Sequence, residues 1–434
     1  GLVNWEEAYS SATQNTSQWI AFQSGASNVN VAITPKGTGA NIAQVPDGTA
    51  TGGNARGEYA TDWQKIRASN TQVASGNYST IGGGENNTAS NIRATVGGGN
   101  NNNASGSRSI IGGGQGNDAS GSMSFIGGGL ENLANNNQST VSGGQSNNAS
   151  GQRSFVGGGQ NNTATNNHAT VGGGQNNDST SSYSTVGGGR DSTASGQYST
   201  VGGGQNNTAL GSRATVGGGE ANTANGYTAI VGGGQSNATS SNYSTVSGGQ
   251  SNTASTNTHA TVGGGSGNTA SGQYSTVGGG TINTASGSRS IVGGGQNNNA
   301  IAQLSFIGGG LNNTVSGDRA TVGGGFNNDA TSQFSTLSGG ESNTATDTHT
   351  TVGGGSGNDA TNDYSTISGG QNNTASGLRS FVGGGLGNNA SGTLSVVAGG
   401  ESNTAGGILS TASGYQTGTS RWGQFAQSSG RFVS

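Results

Sequence analysis

The sequence of 434 residues lacks cysteine, has only two prolines and one methionine, and carries few charges. Without cysteine, neither a disulfide framework nor a thiolate metal site can form. Charged residues make up 7% of the chain and the formal net charge is −4, a mild acidity that argues against nucleic acid as a partner. No apolar run approaches the roughly 18 residues of a membrane-spanning helix, so we expect no membrane span. The chain begins at Gly1 rather than at Met, and we expect that processing or trimming removed its start.

Hydrophobic residues are also scarce, at 27%, whereas 91 residues are glycine, a composition typical of disorder. The order of the residues opposes that interpretation. Twenty-two consecutive copies of a 15-residue unit, GGGxxNTASGxYSTV, run from Gly82 to about Ala412, and only the copy that opens at Ser247 has 16 residues, the extra one near 255–258. A period this short predicts a solenoid in which each copy is one coil. At a strand spacing of about 4.8 Å, these coils give roughly 105 Å of roll.

Fixed columns of the repeat predict an all-β coil with a thin interior. The last position is apolar, from Ile81 and Val96 onward, and a small residue stands two positions earlier, as the inward face of a strand requires. Ala89 and its counterparts supply a second small column across the coil. The coil is therefore expected to join two short strands through two corners.

Glycine and asparagine columns are expected to shape the corners. The second and third glycines never vary (Gly83, Gly84, Gly98 and Gly99 are the first members), which predicts positive φ or a close neighbouring backbone. The first glycine needs only to be small, because Ser or Ala replaces it at 142, 247, 338, 368 and 398. The column of Asn91, Gly106 and Gly121 is typical of left-handed turn residues. Asn87, Asn102, Asn117 and their counterparts, with Ser192 as the exception, predict a structural ladder of amides.

An outward strand column indicates that one face of the coil is covered. The position between the two inward residues is Thr in most copies, but bulky apolar residues replace it in eight. These are Phe125, Phe155, Phe306, Phe381, Ile110, Ile230, Ile291 and Val396. Apolar residues on an outward position favour a partner surface, and the thin interior also calls for one. We therefore predict self-association along the roll.

The repeat resembles the head repeat of trimeric autotransporter adhesins. The matching run is Asn87-Thr88-Ala89-Ser90 followed by Ala94-Thr95-Val96-Gly97, and the match covers most of the chain. This resemblance implies a left-handed parallel β-roll and a homotrimer. We expect about 22 coils, with a small β-rich cap before them.

The flanks are more similar to bacteriophage tail-fibre and appendage proteins. The similar segments are residues 46–57, Asp62-Trp63-Gln64, residues 71–76, Ser413-Gly414-Tyr415 and residues 423–432; the last two resemble the segment that precedes a self-cleaving C-terminal chaperone domain. This resemblance implies a fibre of the virion, a rigid trimeric spacer that binds a tail or baseplate protein at one end. Its other end would contact a host glycan or protein, directly or through a separate tip protein. The location would then be virion or extracellular.

Two other functions stay open at this point. A bacterial surface adhesin or secreted filament is the main alternative, because the same repeat architecture serves both. Ice binding is a remote one, because regular Thr ladders can match an ice lattice, although the Phe, Ile and Val residues interrupt the plane.

Three regions are expected along the chain. Residues 1–70 hold three of the four tryptophans and both prolines, and they predict a β-rich cap or attachment region with a strand at Val29–Ile33. Residues 71–412 form the shaft. Residues 413–434, with Trp422, Phe425 and Phe432, are expected to close the other end, because terminal coils need a cap.

One column is chemically rich, since it contains all three histidines, six of the ten tyrosines and seven arginines. Its candidate binding residues are Tyr78, Arg93, Arg108, Arg153, His168, Tyr183, Tyr198, Arg213, Tyr243, His259, Tyr274, Arg289, Arg319, His349, Tyr364 and Arg379. We interpret the column mainly as a stacked ladder, and alternatively as a glycan-binding strip.

Catalytic chemistry is not expected. The histidines lie six coils apart, so one chain cannot gather them around a metal, although three symmetry copies of one histidine could meet on an axis. The glycine triplets lack the lysine of a phosphate loop, and no paired carboxylates stand out. We predict no enzyme activity, no cofactor and no metal site.

Overall fold

In the computed structural model, residues 37–428 are described, and this range contains strands, bridges and turns without a helix. The fold is an all-β parallel solenoid of about 24 turns of about 15 residues, which confirms the predicted class. The predicted strand at 29–33 lies outside the described residues. The chain forms two compact units, Gly1–Leu210 and Gly211–Ser434.

Strands are numbered in chain order, and in both units they fall into two ladders. We call them the valine ladder and the alanine ladder after their inward residues. In the first unit the valine ladder consists of β1 (Asn41–Ile42), β2 (Thr61–Asp62), β3 (Thr80–Ile81), β5 (Thr95–Val96), β7 (Ile110–Ile111), β9 (Phe125–Ile126), β11 (Thr140–Val141), β13 (Phe155–Val156), β15 (Thr170–Val171), β17 (Thr185–Val186) and β19 (Thr200–Val201). Its alanine ladder consists of β4 (Thr88–Ala89), β6 (Asn103–Ala104), β8 (Asp118–Ala119), β10 (Leu133–Ala134), β12 (Asn148–Ala149), β14 (Thr163–Ala164), β16 (Asp178–Ser179), β18 (Thr193–Ala194) and β20 (Thr208–Ala209).

The second unit repeats this arrangement. Its valine ladder consists of β21 (Thr215–Val216), β23 (Ile230–Val231), β25 (Thr245–Val246), β27 (Thr261–Val262), β29 (Thr276–Val277), β31 (Ile291–Val292), β33 (Phe306–Ile307), β35 (Thr321–Val322), β37 (Thr336–Leu337), β39 (Thr351–Val352), β41 (Thr366–Ile367), β43 (Phe381–Val382), β45 (Val396–Glu401), β47 (Thr411–Tyr415) and β49 (Phe425–Gln427). Its alanine ladder consists of β22 (Thr223–Ala224), β24 (Ala238–Thr239), β26 (Thr253–Ala254), β28 (Thr269–Ala270), β30 (Thr284–Ala285), β32 (Asn299–Ala300), β34 (Thr314–Val315), β36 (Asp329–Ala330), β38 (Thr344–Ala345), β40 (Asp359–Ala360), β42 (Thr374–Ala375), β44 (Asn389–Ala390), β46 (Thr404–Ala405) and β48 (Gly418–Thr419).

Neighbouring strands of a ladder pair in parallel, with a register of one repeat. Thr140 pairs with Phe155, for example, and Asn148 pairs with Thr163. A third ladder, which the sequence did not lead us to expect, is formed by single bridges between residues that follow the glycine triplets, such as Gln145 and Gln160. The coil therefore has three hydrogen-bonded rungs rather than two. We call this third set the bridge ladder.

The interior is a column of Val, Ile or Leu packed against small residues. Val96, Ile126 and Val156 are fully buried, as are the alanines of the opposite ladder, including Ala104 and Ala134. Because strand residues alternate between faces, the residue before each buried valine points outward. The outward threonines are half-buried, whereas the outward Ile and Phe residues are 37–42% exposed on the single chain.

We predicted positive φ or a close neighbouring backbone for the second and third glycines of each triplet, and the third glycine has both. Gly84 has φ of +82° and Gly99 has φ of +91°, and a Cβ on Gly99 would lie 2.1 Å from the carbonyl oxygen of Gly114 in the next coil. The second glycine is different. At ten of the second glycines φ lies between +141° and +159°, as at Gly83 (+156°), a conformation that side chains rarely adopt, but a Cβ on Gly83 or Gly98 would have nothing within 4 Å. Positive φ, as predicted, therefore explains the second glycine in those coils, whereas neither φ nor close packing within the chain explains it at Gly98.

The left-handed turn residue also lies elsewhere than we expected. Asn91, Gly106 and Gly121 are absent from the residues with positive φ, whereas Arg93 and Arg108 have φ of 57° and 59°. Glycine is favoured in the earlier column because coils approach closely there: a Cβ on Gly106 would lie 1.9 Å from the Gly121 carbonyl oxygen. The turn residue stands two positions later and is usually large.

A buried polar cluster lies before the first regular coil. The Asp62 carboxylate contacts Nε of Arg56 at 2.8 Å and Nη2 of Arg67 at 3.1 Å, and all three side chains are inaccessible to solvent. Gln64 is also buried and accepts a hydrogen bond from the N–H of Asn87. Since β1 pairs with β2 and β2 with β3, the ladder begins within the range that we assigned to the cap.

The ladders also continue past residue 412. Thr404 pairs with Gly418 and Thr411 with Phe425, so this coil has 14 residues, and a bulge lies between Val397 and Gly400. The predicted closing residues Trp422 and Phe425 are 74% and 68% exposed. Phe432 lies outside the described residues.

Candidate functional site

The turn between the alanine and valine ladders positions the predicted site residues. In most turns a carbonyl accepts a hydrogen bond from the N–H three residues later, as Gly106 does from Ser109 at 3.1 Å. The residue between them with positive φ also donates its N–H to the preceding coil, as Arg93 does to Asn77 at 2.9 Å. This pairing repeats from coil to coil and holds the large side chains in one row. We call this row the turn ladder.

In the first unit the turn ladder consists of Tyr59, Tyr78, Arg93, Arg108, Met123, Gln138, Arg153, His168, Tyr183 and Tyr198. Tyr78 stacks on Tyr59 with ring centroids 5.0 Å apart, and the Arg93 guanidinium lies 5.6 Å from the Tyr78 centroid. At the other end Tyr183 stacks between His168, at 4.7 Å, and Tyr198, at 4.9 Å.

Arginine, methionine and glutamine residues occupy the middle of this row. Arg108 has no aromatic neighbour there, because Arg93 precedes it and Met123 follows. Arg153 instead donates a hydrogen bond to Oε1 of Gln138 at 2.8 Å. The aromatic stacks of the first unit are thus separated by a more polar segment.

In the second unit the turn ladder consists of Arg213, Thr228, Tyr243, His259, Tyr274, Arg289, Leu304, Arg319, Phe334, His349, Tyr364, Arg379, Leu394 and Leu409. His259 lies between Tyr243, at 4.9 Å, and Tyr274, at 4.6 Å. His349 lies in the same way between Phe334 and Tyr364, both at 4.7 Å.

Arginines lie over the aromatic stacks of this unit. Arg289 covers Tyr274, Arg319 covers Phe334 and Arg379 covers Tyr364, with distances to the ring centroids of 5.9, 5.5 and 5.6 Å. Arg213 contacts Tyr227, lying 5.6 Å from its ring centroid and donating a hydrogen bond to its hydroxyl.

Two aromatic residues that contact the turn ladder were not predicted from the sequence. Tyr59 extends the first row upstream, and the run Gly57-Glu58-Tyr59-Ala60-Thr61 matches the turn pattern of the repeat, a signal that could have identified it. Tyr227 lies one position before the turn residue and contacts Tyr243 edge-on at 5.5 Å. Its displacement by one position hides it from a comparison by columns.

The geometry of the turn ladder limits what it can bind. Ring faces are stacked on their neighbours, and the exposed part of each tyrosine, 46–49% of Tyr78, Tyr183 and Tyr274, consists of edges and hydroxyl groups. Sugars bound to aromatic residues usually pack on open ring faces, and here these are covered. Stacked pairs contribute about 0.5–1.5 kcal/mol, which offsets the roughly 1–2 kcal/mol cost of a left-handed conformation for a non-glycine residue.

The structural asparagines form a second continuous ladder inside the coil. Asn102 is buried, and its N–H donates to Oδ1 of Asn87 at 3.0 Å. Its side-chain amide donates to the carbonyls of Gly98, at 3.0 Å, and of Gly114, at 2.9 Å. Asn117 bonds to the chain in the same way. Each asparagine thereby joins three coils at the glycine corner.

Other sites for chemistry are sparse in residues 37–428. Within that range no group of three or more His, Asp or Glu residues could hold a metal ion, and no helix is long and apolar enough to cross a membrane. The 16-residue coil makes a shallow polar depression lined by Ser240, Asn242, Thr256, Asn257 and Gln273. In this coil, Thr256 adopts a positive φ of 73° at the turn that contains the extra residue.

No protein-family model matches this chain, and no curated protein matches it either. The repeated coil and its exposed faces are therefore the basis for the functional proposal.

Proposed function

We propose that the chain is a structural fibre of a phage virion, a rigid homotrimeric spacer that holds the particle at a distance from the host surface. The observation that carries this proposal is the 15-residue register, which repeats the same strand pairing in all but a few coils, the exceptions being the 16-residue step from Thr245 to Thr261 and the 14-residue step from Thr411 to Phe425. Such a design suits length and stiffness, because each coil rests only on its neighbours. It provides no enclosed reaction site.

The partners in this proposal are placed at the ends of the fibre. A tail or baseplate protein would hold one end, and a host glycan or protein would contact the other, directly or through a separate tip protein. The covered ring faces of the turn ladder support this arrangement, because they leave the shaft poorly suited to selective recognition. The flanking segments that resemble phage fibres support the virion over a cell surface.

Electron microscopy with antibodies raised against the repeat provides the test. We expect labelled thin fibres on phage particles, and light scattering of the native protein should give about three times 41.9 kDa. Labelling of bacterial surfaces or of free filaments, with particles unlabelled, would instead identify an adhesin or secreted filament. A folded species of one chain would contradict the trimeric spacer.

A further inference from the structure

The outward face of the valine ladder is apolar in places and has no charge in any coil. Its outward column contains only Thr, Ile, Phe and Val, and the glycine triplet that follows contains only Gly, Ser and Ala. The Phe rings lie along the triplets: an atom of the Phe125 ring is 3.6 Å from where a Cβ on Gly127 would stand. We call this surface, the outward column with the first two glycines, the glycine face. The opposite outward column differs, because it includes Asp118, Asp178, Asp329 and Asp359.

Exposed apolar residues cluster on the glycine face in adjacent coils. Ile110 pairs with Phe125, Ile291 with Phe306, and Phe381 with Val396. The Ile and Phe members are 37–42% exposed on the single chain. Each of the leucines of the bridge ladder follows one of these phenylalanines by five residues, at 130, 311 and 386, so apolar residues enter neighbouring columns together. Within the second unit the two clusters lie six coils apart.

The second glycine gives an independent indication that something lies against this face. The first glycine varies to Ser or Ala in five coils, although a Cβ on Gly172 would lie 2.2 Å from the Gly187 carbonyl oxygen. The second glycine never varies, although a Cβ on Gly279, Gly294 or Gly309 would have nothing within 4 Å. At these three positions φ also lies outside the left-handed region. Other second glycines, such as Gly158 with φ of +141°, have a backbone conformation that side chains rarely adopt, but at Gly279, Gly294 and Gly309 the fold of one chain gives no reason for glycine.

We propose that copies of this chain pack on one another in register through the glycine face. A neighbouring copy then fills the space beside the second glycine of each triplet. Glycine recurs at this position in all 22 repeats, including those in which neither φ nor the chain's own atoms require it, and another copy of the chain is an occupant that repeats with the same period. Identical uncharged faces can also approach without repulsion. This inference rests on the self-association in the proposed function and assigns its contact face.

Because the chain has no cysteine, a single introduced thiol can report on this face. In the folded chain alone, Gly294→Cys would project into open space and react rapidly with a maleimide. In the native assembly we expect the reaction to be at least tenfold slower than that of Gln303→Cys, an exposed control in the same repeat. Equal rates in an assembled protein would overturn the proposal. So would an unfolded Gly294→Cys chain, because the fold itself would then require the glycine.

Charge insertion gives the second measurement. The combined change of Gly279, Gly294 and Gly309 to Lys should convert the assembly to single chains, or raise at least tenfold the protein concentration at which half of it is dissociated in sedimentation. The β-sheet signal in circular dichroism should stay the same. The matched control changes Gln273, Ser288 and Gln303 to Lys, each six residues before one of these glycines, and should leave the mass unchanged. A variant that assembles like the wild type would exclude this face. A wild-type protein that is itself monomeric would instead refute the proposed fibre.

Discussion

At the scale of single residues, the asparagine column shows how one side chain can serve three coils. Asn147 donates its N–H to Asn132 and its amide to the carbonyls of Gly143 and Gly159. Ser192, in the same column, accepts from the N–H of Asn207 but has no amide to donate. Two donations made by the asparagines are therefore missing in that coil.

The first prediction uses this natural exception. Ser192→Asn should raise the free energy of unfolding by about 1 kcal/mol, because it restores hydrogen bonds to carbonyls at a buried corner. The converse change, Asn147→Ser, should lower it by about 1–3 kcal/mol because it leaves such groups unpaired. Denaturant unfolding of both variants measures the difference. A destabilised Ser192→Asn would mean that the coil around Ser192 has adapted to the smaller side chain.

Asp62 provides the second prediction, because its carboxylate lies between two buried arginines. Asp62→Asn should destabilise the residues around β1 to β3 by about 3–5 kcal/mol, since it leaves buried positive charge uncompensated. Hydrogen exchange of residues 41–81 measures the effect locally. The control is Asp191→Asn, which breaks the exposed pair with Arg190 and should change stability by less than about 1 kcal/mol.

Sequence patterns predicted burial well at this scale but backbone conformation less well. Ile81 and Ala89 were assigned inward because position in the repeat fixes which way a strand residue points. The left-handed residue was misplaced because glycine marks both positive φ and close approach of coils. At Gly106 it serves the second purpose, while Arg108 adopts the turn conformation.

At the scale of elements, the turn ladder balances strained backbone against stacked side chains. The third prediction separates the two contributions. Changing Tyr243, His259 and Tyr274 together to Ser should lower stability by about 0.5–1.5 kcal/mol for each lost stacked pair. The same three changes to Gly should lower stability less than the Ser changes do, by about 1 kcal/mol per position, because glycine adopts positive φ without strain. Host attachment should persist in both variants; loss of attachment by a fully stable Ser variant would identify a binding strip.

The outward carboxylates of the alanine ladder give the fourth prediction. Burial raises the pKa of Asp118, Asp329 and Asp359 above the usual value for aspartate. A raised pKa in the folded state means that the ionised carboxylate opposes folding, and that this penalty disappears as the pH falls through that pKa. The combined change to Asn should therefore stabilise the protein at pH 7. The advantage should vanish at a pH below about 3.9, the value for unfolded aspartate. Thermal unfolding of both proteins across this range measures it, and a pH-independent difference would contradict the burial effect.

The bridge ladder is the element of the coil that the sequence did not predict. Gln, Glu, Leu and Ser alternate in this column without a strand pattern, and the column makes only single bridges, as between Gln160 and Gln175. Its backbone is aligned by the rungs on either side of it rather than by its own residue types. Such an element is visible only once the coils are stacked.

At the scale of the whole molecule, a uniform repeat creates a problem for an assembly of parallel copies. Chains whose coils are all alike could slip past one another by one coil with little cost, because each coil would meet an equivalent partner. The apolar clusters of the glycine face break this equivalence. A slip by one coil would place Ile291 or Phe306 beside threonine instead of an apolar residue. The clusters would thus fix the register of the proposed trimer.

The fifth prediction tests this role. Replacing the eight outward apolar residues, Ile110, Phe125, Phe155, Ile230, Ile291, Phe306, Phe381 and Val396, by the Thr of the other coils should preserve each coil but not the register between chains. A spin label on Gln303→Cys reports the register, because aligned chains give one narrow distribution of distances, whereas slipped chains add components displaced by multiples of about 4.8 Å. The matched control replaces the same eight residues by Leu and should keep the single distribution, because the clusters remain apolar. If the Thr variant also keeps it, the register must be set elsewhere, and the ends of the chain, including exposed Trp422 and Phe425, are then the next place to look.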